Sequence, residues 1–127
     1  MFDVDGFKKY NDLYGHLEGD RVLKHVASEI RKNVRQVDII CRYGGDEFAV
    51  ILPFTSVKGA KFVADKIRSS VAEMDLLNIE SNKIIRATLS GGVADFKEGM
   101  GKESLVATAD RALYKAKSEG KNKICVL

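Results

Sequence analysis

The stretch Arg42-Tyr43-Gly44-Gly45-Asp46-Glu47-Phe48 lies between two apolar runs, residues 39–41 before it and residues 49–52 after it. Two strand-like runs joined by adjacent glycines predict a β-hairpin with positive φ at both central residues. A turn without side chains also lets another molecule approach the backbone closely. Because Asp46 and Glu47 follow the glycines directly, the stretch fits either a tight turn with solvated acids or a binding site that uses fixed negative charge. The rest of the chain decides between the two.

The composition is that of a globular domain. The chain has 127 residues, of which 45% are hydrophobic and 31% charged, and its net charge is +3. This length supports one domain with a single core, and the weak positive charge suits a small anionic ligand rather than nucleic acid. No apolar run reaches the roughly 18 residues of a membrane helix, so we expect a cytoplasmic domain, with any membrane anchor of the full-length protein in an upstream segment. Cys41 and Cys125 lie in apolar runs and are predicted to be buried free thiols.

Hydrophobic periodicity predicts an α+β fold with one mostly antiparallel sheet and helices packed on its faces. Residues 1–4 resemble the end of a strand, so we expect the domain to begin upstream of Met1. Asp20 is predicted to cap a helix after a loop at residues 15–20, and Ser90-Gly91-Gly92 predicts close backbone packing in a strand. The predicted elements are a strand at 1–4, a short helix, a helix at 20–34, the hairpin, a helix at 56–73, a loop with a possible short strand at 74–83, strands at 84–88 and 89–95, a helix over 105–116 followed by Gly120, and a strand at 124–127.

Three acids are candidates for a metal site. Carboxylates about 4 Å apart repel by about 1 to 4 kcal/mol, depending on the effective dielectric, so they usually share a proton or a cation. Asp3, Asp46 and Glu47 offer hard oxygen ligands, which favour Mg²⁺ or Mn²⁺. The hypothesis requires the strand that ends at Asp3 to lie beside the strand that begins at Asp46. Lysines would then help to neutralise substrate phosphates, and the candidates are Lys8, Lys117 and Lys121.

Several candidates also have an ordinary structural explanation. Helix capping is an alternative role for Asp3 and the preferred one for Asp5. A calcium loop is excluded, because Lys8 stands where that loop needs glycine. A lone histidine such as His16 is usually a surface or loop residue. Arg35, in the sequence Arg-Gln-Val-Asp that follows the predicted helix, would interact favourably with the helix dipole.

Taken together, these motifs resemble the GGDEF domain, the diguanylate cyclase family. The resemblance runs the length of the chain, and six motifs in the right order make it specific. They are Tyr-Gly-Gly-Asp-Glu-Phe at 43–48, Asp-Val-Asp-Gly-Phe-Lys at 3–8 with Asn-Asp at 11–12, Gly-His at 15–16 with Gly-Asp at 19–20, Ser-Gly-Gly-Val-Ala at 90–94, Asp-Arg-Ala-Leu-Tyr-Lys-Ala-Lys at 110–117, and Gly-Lys-Asn at 120–122.

The resemblance implies a five-stranded, nucleotidyl cyclase-like sheet and a reaction in which two GTP condense to cyclic di-GMP with release of two pyrophosphates. It implies a homodimer, in which each 3′-hydroxyl attacks the α-phosphate of the other nucleotide. It also implies an upstream sensor or receiver domain.

The resemblance assigns the site residues by position. Asp3, the Val4 carbonyl and Asp46 would hold Mg²⁺ or Mn²⁺, and Asp46 with Glu47 would be catalytic. The residues implied for substrate binding are Asn11 and Asp20 at the guanine edge, His16 near the sugar or base, Phe7, Lys8, Gly44 and Gly45 near the phosphates, and Lys117 and Lys121 at the terminal phosphates.

The resemblance also changes the interpretation of the Arg35–Asp38 pair and reveals two departures from the family. Arg35 and Asp38 match the family's inhibitory Arg-x-x-Asp motif, which favours product binding over the helix-end role. Lys121 stands where arginine is common, so its phosphate contact would lack the planar fork of a guanidinium. The segment before Asp3 also departs from the family, which has a helix and most of the first strand there.

Two other functions remain as alternatives. A catalytically silent receptor would bind GTP or cyclic di-GMP and signal through a partner, but the intact acid pair favours the enzyme. An RNA-binding sheet is disfavoured, because no paired aromatic residues alternate with basic residues on a strand.

Overall fold

The computed structural model describes residues 1–78 and 81–127. Its elements are β1 (Phe2–Val4), α1 (Phe7–Tyr14), α2 (His16–Lys32), β2 (Ile39–Arg42), β3 (Glu47–Ile51), α3 (Val57–Ala72), β4 (Leu76–Asn78), β5 (Lys83–Ile85), β6 (Leu89–Val93), α4 (Lys102–Ser118) and β7 (Ile124–Val126). Residues 79 and 80 of the predicted loop at 74–83 lie outside the described residues.

The main sheet has five strands in the order β2-β3-β1-β6-β7. Its first three pairings are antiparallel, and β6 with β7 is parallel, so the predicted α+β fold with a mostly antiparallel sheet is confirmed. A separate two-stranded sheet joins β4 and β5. That sheet begins within the segment predicted as a loop with a possible short strand, and the strand predicted at 84–88 is shorter than expected.

Helix α4 packs directly on the backbone of β6. A Cβ atom on Gly92 would lie 2.1 Å from the carbonyl oxygen of Ala109 and 2.3 Å from the backbone nitrogen of Leu113. Real Cβ atoms do not approach backbone so closely, so only glycine permits this helix to lie on this strand. The predicted close packing around Gly92 is therefore confirmed, and it fixes where α4 presents its side chains.

Helix α2 begins earlier than the sequence predicted. It starts at His16, after Gly15 at a φ of 83°, so Asp20 lies within the helix and is not its N-cap. The prediction was wrong because Gly19 weakens a helix by about 1 kcal/mol relative to alanine, which favours a loop when local sequence alone is considered. In the fold Gly19 has a packing role, since a Cβ atom there would lie 1.8 Å from Oδ1 of Asn11.

The two cysteines differ in exposure. Cys125 is buried, as predicted, whereas Cys41 is exposed. Cys41 belongs to β2, which lies at the edge of the main sheet. The prediction of a buried Cys41 was wrong because an edge strand has a neighbouring strand on one side only, which leaves more of its surface exposed to solvent. Within the described residues, no helix has the length and apolar character needed to cross a membrane.

Candidate active site

The first and third strands are neighbours, as the metal-site hypothesis requires. In the antiparallel pairing of β1 with β3, Asp3 lies opposite Glu47 and Phe2 opposite Phe48. The Val4 N–H donates a hydrogen bond to the Asp46 carbonyl oxygen over 3.1 Å. The acid pair that follows the glycines is thus joined through backbone hydrogen bonding to the strand that carries Asp3.

Asp3 is a buried carboxylate with one close cationic partner. Its Oδ2 lies 2.7 Å from Nζ of Lys117 on α4. Burial raises the pKa of Asp3 above its ordinary value, the charges of Asp46 and Glu47 raise this pKa further, and Lys117 opposes both effects. The three acids at this end of the sheet therefore favour a nearby cation, and the ammonium group of Lys117 partly fills that role.

The donors at this end suit a hard divalent cation. Asp3 and Asp46 supply carboxylate oxygens, which Mg²⁺ and Mn²⁺ prefer. In the part of the chain that the structure describes, no three His, Cys, Asp or Glu residues are grouped to hold a metal by themselves. An ion at this site would need backbone, water or phosphate oxygens to complete its shell, which is how Mg²⁺ is commonly bound in nucleotide enzymes.

The turn between β2 and β3 differs from the predicted two-residue hairpin. Arg42 pairs with Phe48, and the N–H groups of Tyr43 and Gly44 both donate to the Glu47 carbonyl oxygen, over 2.8 and 3.3 Å. The glycines of positive φ are Gly6, Gly15, Gly99 and Gly120, so the prediction of positive φ at Gly44 and Gly45 was wrong. A two-residue turn needs positive φ so that its twist matches that of the two strands, and the longer turn here does not have this requirement.

Gly44 and Gly45 have different surroundings. A Cβ atom on Gly45 would meet nothing within 4 Å, whereas one on Gly44 would lie 2.6 Å from Oε2 of Glu47. Arg42, which the sequence did not single out, donates from Nε to the carbonyl oxygens of Gly44 and Gly45 over 3.2 and 3.0 Å. The turn is thus open on one side and held by Arg42 on the other.

The corner between α1 and α2 holds a buried acceptor. In the described residues, Oδ1 of Asn11 is buried and lacks a hydrogen-bond partner. Asn11 packs against Gly19, the residue before Asp20, and Cζ of Phe7 lies on the same side of Gly19. A buried acceptor without a donor is costly, so this corner is suited to a ligand that brings N–H groups.

Asp20 faces open space beside this corner. It helps to line a cavity of about 360 Å³ together with Leu23, Lys24, Ala27, Ile40, Arg42 and Phe48. His16 is exposed one helical turn before Asp20, and Lys8 is exposed on α1. The structure thus brings Asn11 and Asp20 to one corner and leaves His16 and Lys8 at its surface.

The predicted phosphate lysines lie at the end of α4 and just after it. Lys117 is in the last turn of α4, and the exposed Lys121 follows Gly120 with a φ of 64°. Gly120 has a φ of 109°, as expected for the residue that ends a helix. Lys121 therefore occupies a fixed turn rather than the helix itself.

Asp5 has a role that the sequence did not predict. The N-cap residue of α1 is Gly6, in a left-handed conformation, so the prediction that Asp5 caps the helix was wrong. Its carboxylate instead accepts hydrogen bonds from Thr88 Oγ1 and Ser90 Oγ, both over 2.7 Å, and from the Asn122 backbone N–H over 3.0 Å. Asp5 connects β1, β6 and the turn that carries Lys121.

Arg35 and Asp38 form an ion pair at the far end of β2. Nη2 of Arg35 lies 2.8 Å from Oδ1 of Asp38, and the same nitrogen donates to the Pro53 carbonyl oxygen and to Thr55 Oγ1. Helix α2 ends at Lys32, so Arg35 is bonded to the loop between β3 and α3 rather than to the end of the helix. The Arg35 guanidinium holds the pKa of Asp38 below its ordinary value.

Sequence and structure comparisons agree on the family. The family model for the diguanylate cyclase GGDEF domain matches residues 1–123. The response regulator PleD of Caulobacter vibrioides is 40% identical over 125 residues, which cover 98% of this chain and 28% of that protein. Diguanylate cyclase A of Treponema denticola is 42% identical over 125 residues, covering 98% of this chain and 33% of the relative.

Solved structures agree with this assignment. The GGDEF domain of DgcB from Caulobacter crescentus in complex with c-di-GMP superposes with a TM-score of 0.94 at 35% identity, covering 98% of this chain and 74% of that one. Diguanylate cyclase SiaD of Pseudomonas aeruginosa in complex with its activator SiaC also gives a TM-score of 0.94 at 35% identity, over 99% of this chain and 48% of that one. The chain belongs to the diguanylate cyclase GGDEF domain family, and it spans a third or less of the two curated relatives named above.

Proposed function

We propose that this domain condenses two GTP molecules to cyclic di-GMP and releases two pyrophosphates, with Mg²⁺ or Mn²⁺ bound. The observation that carries the proposal is the antiparallel pairing of Asp3 with Glu47 beside the Gly-Gly turn, with Lys117 against Asp3. Phosphoryl transfer depends mainly on positioning and on neutralising phosphate charge, and this end of the sheet combines acids, a cation and an open turn. Membership of the family supports the same reaction.

Asp3, the Val4 carbonyl and Asp46 would hold the metal ion. Once bound, the ion would neutralise phosphate charge and favour ionisation of the attacking hydroxyl. Asp46 would help to take the proton of the 3′-hydroxyl, and Glu47, opposite Asp3 in the sheet, would support the same negative field. The space beside Gly45, where a Cβ atom would have no neighbour within 4 Å, would let a phosphate reach the backbone.

Asn11 and Asp20 would recognise guanine. The guanine N1 and N2 groups are donors, and the buried Asn11 Oδ1 is an acceptor without a donor in the described residues. His16 would lie near the sugar or base. Phe7 and Lys8, at the start of α1, would approach the phosphates, while Lys117 and Lys121 would contact the terminal ones.

Catalysis would require a homodimer. Cyclic di-GMP contains two phosphodiester links, so each GTP must provide both a nucleophile and an electrophile. A site that holds one GTP supplies half of this arrangement, and a second copy facing it would supply the other half. The two domains would therefore form the two bonds across a shared interface.

Arg35 and Asp38 would bind the product and inhibit the enzyme. Arginine makes bidentate contacts with a phosphate or a guanine edge. The pair is already formed and anchored to the loop at Pro53 and Thr55, so product would meet an ordered site. The four-residue strand β2 separates it from the Gly-Gly turn, a spacing of about 13 Å at the usual rise per residue.

The domain would continue upstream of Met1, and a groove between the sheet and helices α3 and α4 supports this part of the proposal. The groove has a volume of about 660 Å³ and extends along residues 49–55 of β3 and beyond, and along residues 92–96 of β6 and beyond. The short strand β1 lies between β3 and β6. A longer first strand, with a helix before it and a sensor or receiver domain further upstream, would fill the groove and control dimerisation.

Incubation of the longer protein, with the proposed upstream segment, with GTP and Mg²⁺, followed by chromatography for cyclic di-GMP, tests the proposal. We expect product from the wild type and from Asp75→Asn, an exposed acid beside the separate two-stranded sheet, and none above background from Asp46→Asn. Nucleotide binding by a folded dimer that yields no product would instead establish the silent receptor.

A further inference from the structure

Two charged side chains hold the turn that follows α4. The Asn122 backbone N–H donates to Oδ2 of Asp5 over 3.0 Å, and Nη1 of Arg68 donates to Oδ1 of Asn122 over 3.0 Å. Arg68 is on α3 and Asp5 precedes α1, so the turn is held from two distant parts of the chain. We propose that Asp5 and Arg68 are positioning residues that fix Lys121 for the terminal phosphates of GTP.

The backbone of this turn needs such support. Lys121 has a φ of 64° and Asn122 a φ of 45°, and residues with a Cβ atom seldom adopt this left-handed region. Asparagine tolerates it better than lysine does. Two consecutive residues in this conformation persist only when their surroundings determine it. The Lys121 backbone N–H donates to the Ala116 carbonyl oxygen over 3.1 Å, and the bonds from Asp5 and Arg68 hold the next residue, Asn122.

Asp5 is itself held on its other side. Thr88 Oγ1 and Ser90 Oγ each donate to its carboxylate over 2.7 Å, so both of its oxygens are oriented before the turn is reached. Asp5 is also two residues after Asp3. The Asp5 carboxylate therefore links the acid end of β1 to the lysine turn, and a metal-bound triphosphate would have to span the same gap.

The inference rests on the proposed function, because it takes Lys121 to be a phosphate ligand. It adds that Asp5 and Arg68, which do not touch the substrate, control the affinity for the triphosphate through Lys121. The proposed guanine contacts, Asn11 and Asp20, lie on α1 and α2, whereas Lys121 follows α4. Loss of either positioning residue should therefore weaken binding of a triphosphate and leave binding of a monophosphate unchanged.

The probes are the α,β-methylene analogue of GTP, which cannot release pyrophosphate, and GMP, each titrated by calorimetry with Mg²⁺. For Asp5→Asn and Arg68→Ala we expect about tenfold weaker binding of the analogue, the size of effect typical of one charge-assisted hydrogen bond. GMP binding should change less than twofold. Arg86→Ala, which removes an exposed ion pair with Asp75 near the separate two-stranded sheet, is the control and should change neither.

A double-mutant cycle separates positioning from general loss of structure. In a Lys121→Ala background, Asp5→Asn should cause no further loss of analogue affinity, since the group that it positions is gone. Equal losses for GMP and the analogue, or full additivity with Lys121→Ala, would overturn the inference. If Asp5→Asn does not fold, Arg68→Ala carries the same test. A wild type that binds neither probe would refute the proposed function itself.

Discussion

The ammonium nitrogen of Lys117 lies 2.7 Å from Oδ2 of Asp3, where a buried carboxylate faces two further acids. Opposite charges at this distance attract strongly when they are shielded from water, so the lysine acts as the counter-ion of Asp3. A divalent cation at Asp3 would compete with it. Binding of metal and nucleotide would release Lys117 from Asp3 and make it available to phosphate.

Lys117→Met should therefore have opposite effects on two ligands. We expect Mn²⁺ to bind several-fold more tightly at pH 8 without nucleotide, because no tethered ammonium competes for Asp3. The α,β-methylene GTP analogue should bind more weakly, because a phosphate contact is lost. Electron paramagnetic resonance gives the free Mn²⁺ and calorimetry gives the analogue affinity. Lys115→Met, an exposed lysine on the same helix, is the control, and weaker Mn²⁺ binding by Lys117→Met would contradict the competition.

Asp3→Asn should gain stability relative to the wild type as the pH rises. The pKa of Asp3 is raised in the folded state above its ordinary value of 3.8, so its favourable contribution is present below that value and is lost as the pH rises through the folded pKa. Asparagine does not ionise and escapes this loss. Urea midpoints at pH 4 and pH 7 measure it, and a difference between variant and wild type that stays constant with pH would exclude the mechanism.

Asn11→Ala should weaken nucleotide binding without lowering stability. Its Oδ1 is buried without a partner, and such a group costs about 1 to 3 kcal/mol, so its removal offsets the lost packing. Asn33→Ala is the matched control, because Nδ2 of Asn33 donates to the Glu29 carbonyl oxygen over 2.8 Å. Thermal unfolding should show a loss for Asn33→Ala only, and calorimetry a loss of GMP affinity for Asn11→Ala only.

When the protein is produced so that it begins at Met1, its stability should rise between pH 6 and pH 8. The Met1 amino group donates to the Gly92 carbonyl oxygen over 2.7 Å, and burial lowers its pKa from 8.0 to about 6. Between these values the unfolded chain binds more protons than the folded one, so unfolding becomes harder as the pH rises, by at most about 2 to 3 kcal/mol.

An N-terminal extension tests the groove at the same time. In the β1 pairing, Phe2 lies opposite Phe48 on β3 and Gly91 on β6. If the same register continued toward the N-terminus, the residue before Met1 would lie opposite Val50 and Val93. A four-residue extension rich in valine and threonine should raise the urea midpoint and flatten its pH dependence. A Gly-Ser extension of equal length should only flatten it. Equal midpoints for the two extensions would count against a strand in the groove.

The sequence predicted the architecture because the apolar residues of α3 and α4 recur at helical spacing, and because the glycines of β6 indicate a strand with close backbone packing. It failed where long-range contacts decide the conformation. Gly19 belongs to a helix because Asn11 packs on it, and Asp5 bonds to residues more than 80 positions away. The pairing of Asp3 with Glu47 likewise depends on topology, so the sequence supplied the candidate acids but not their adjacency.

Arg35→Ala and Asp38→Asn should both relieve product inhibition, and the pH dependence of stability separates the two. The lowered pKa of Asp38 means that its contribution is present above its ordinary value of 3.8 and is lost as the pH falls through the folded pKa. Asp38→Asn should therefore be less stable than the wild type at pH 7, with the difference shrinking toward pH 3.

Initial rates of cyclic di-GMP formation with added product should show at least tenfold weaker inhibition for both variants, since charge-assisted contacts are lost. Arg86→Ala, which removes an exposed ion pair with Asp75 near the separate two-stranded sheet, is the control. Inhibition that persists unchanged in both variants would place the product elsewhere and return Arg35 and Asp38 to a structural role in the loop before β2.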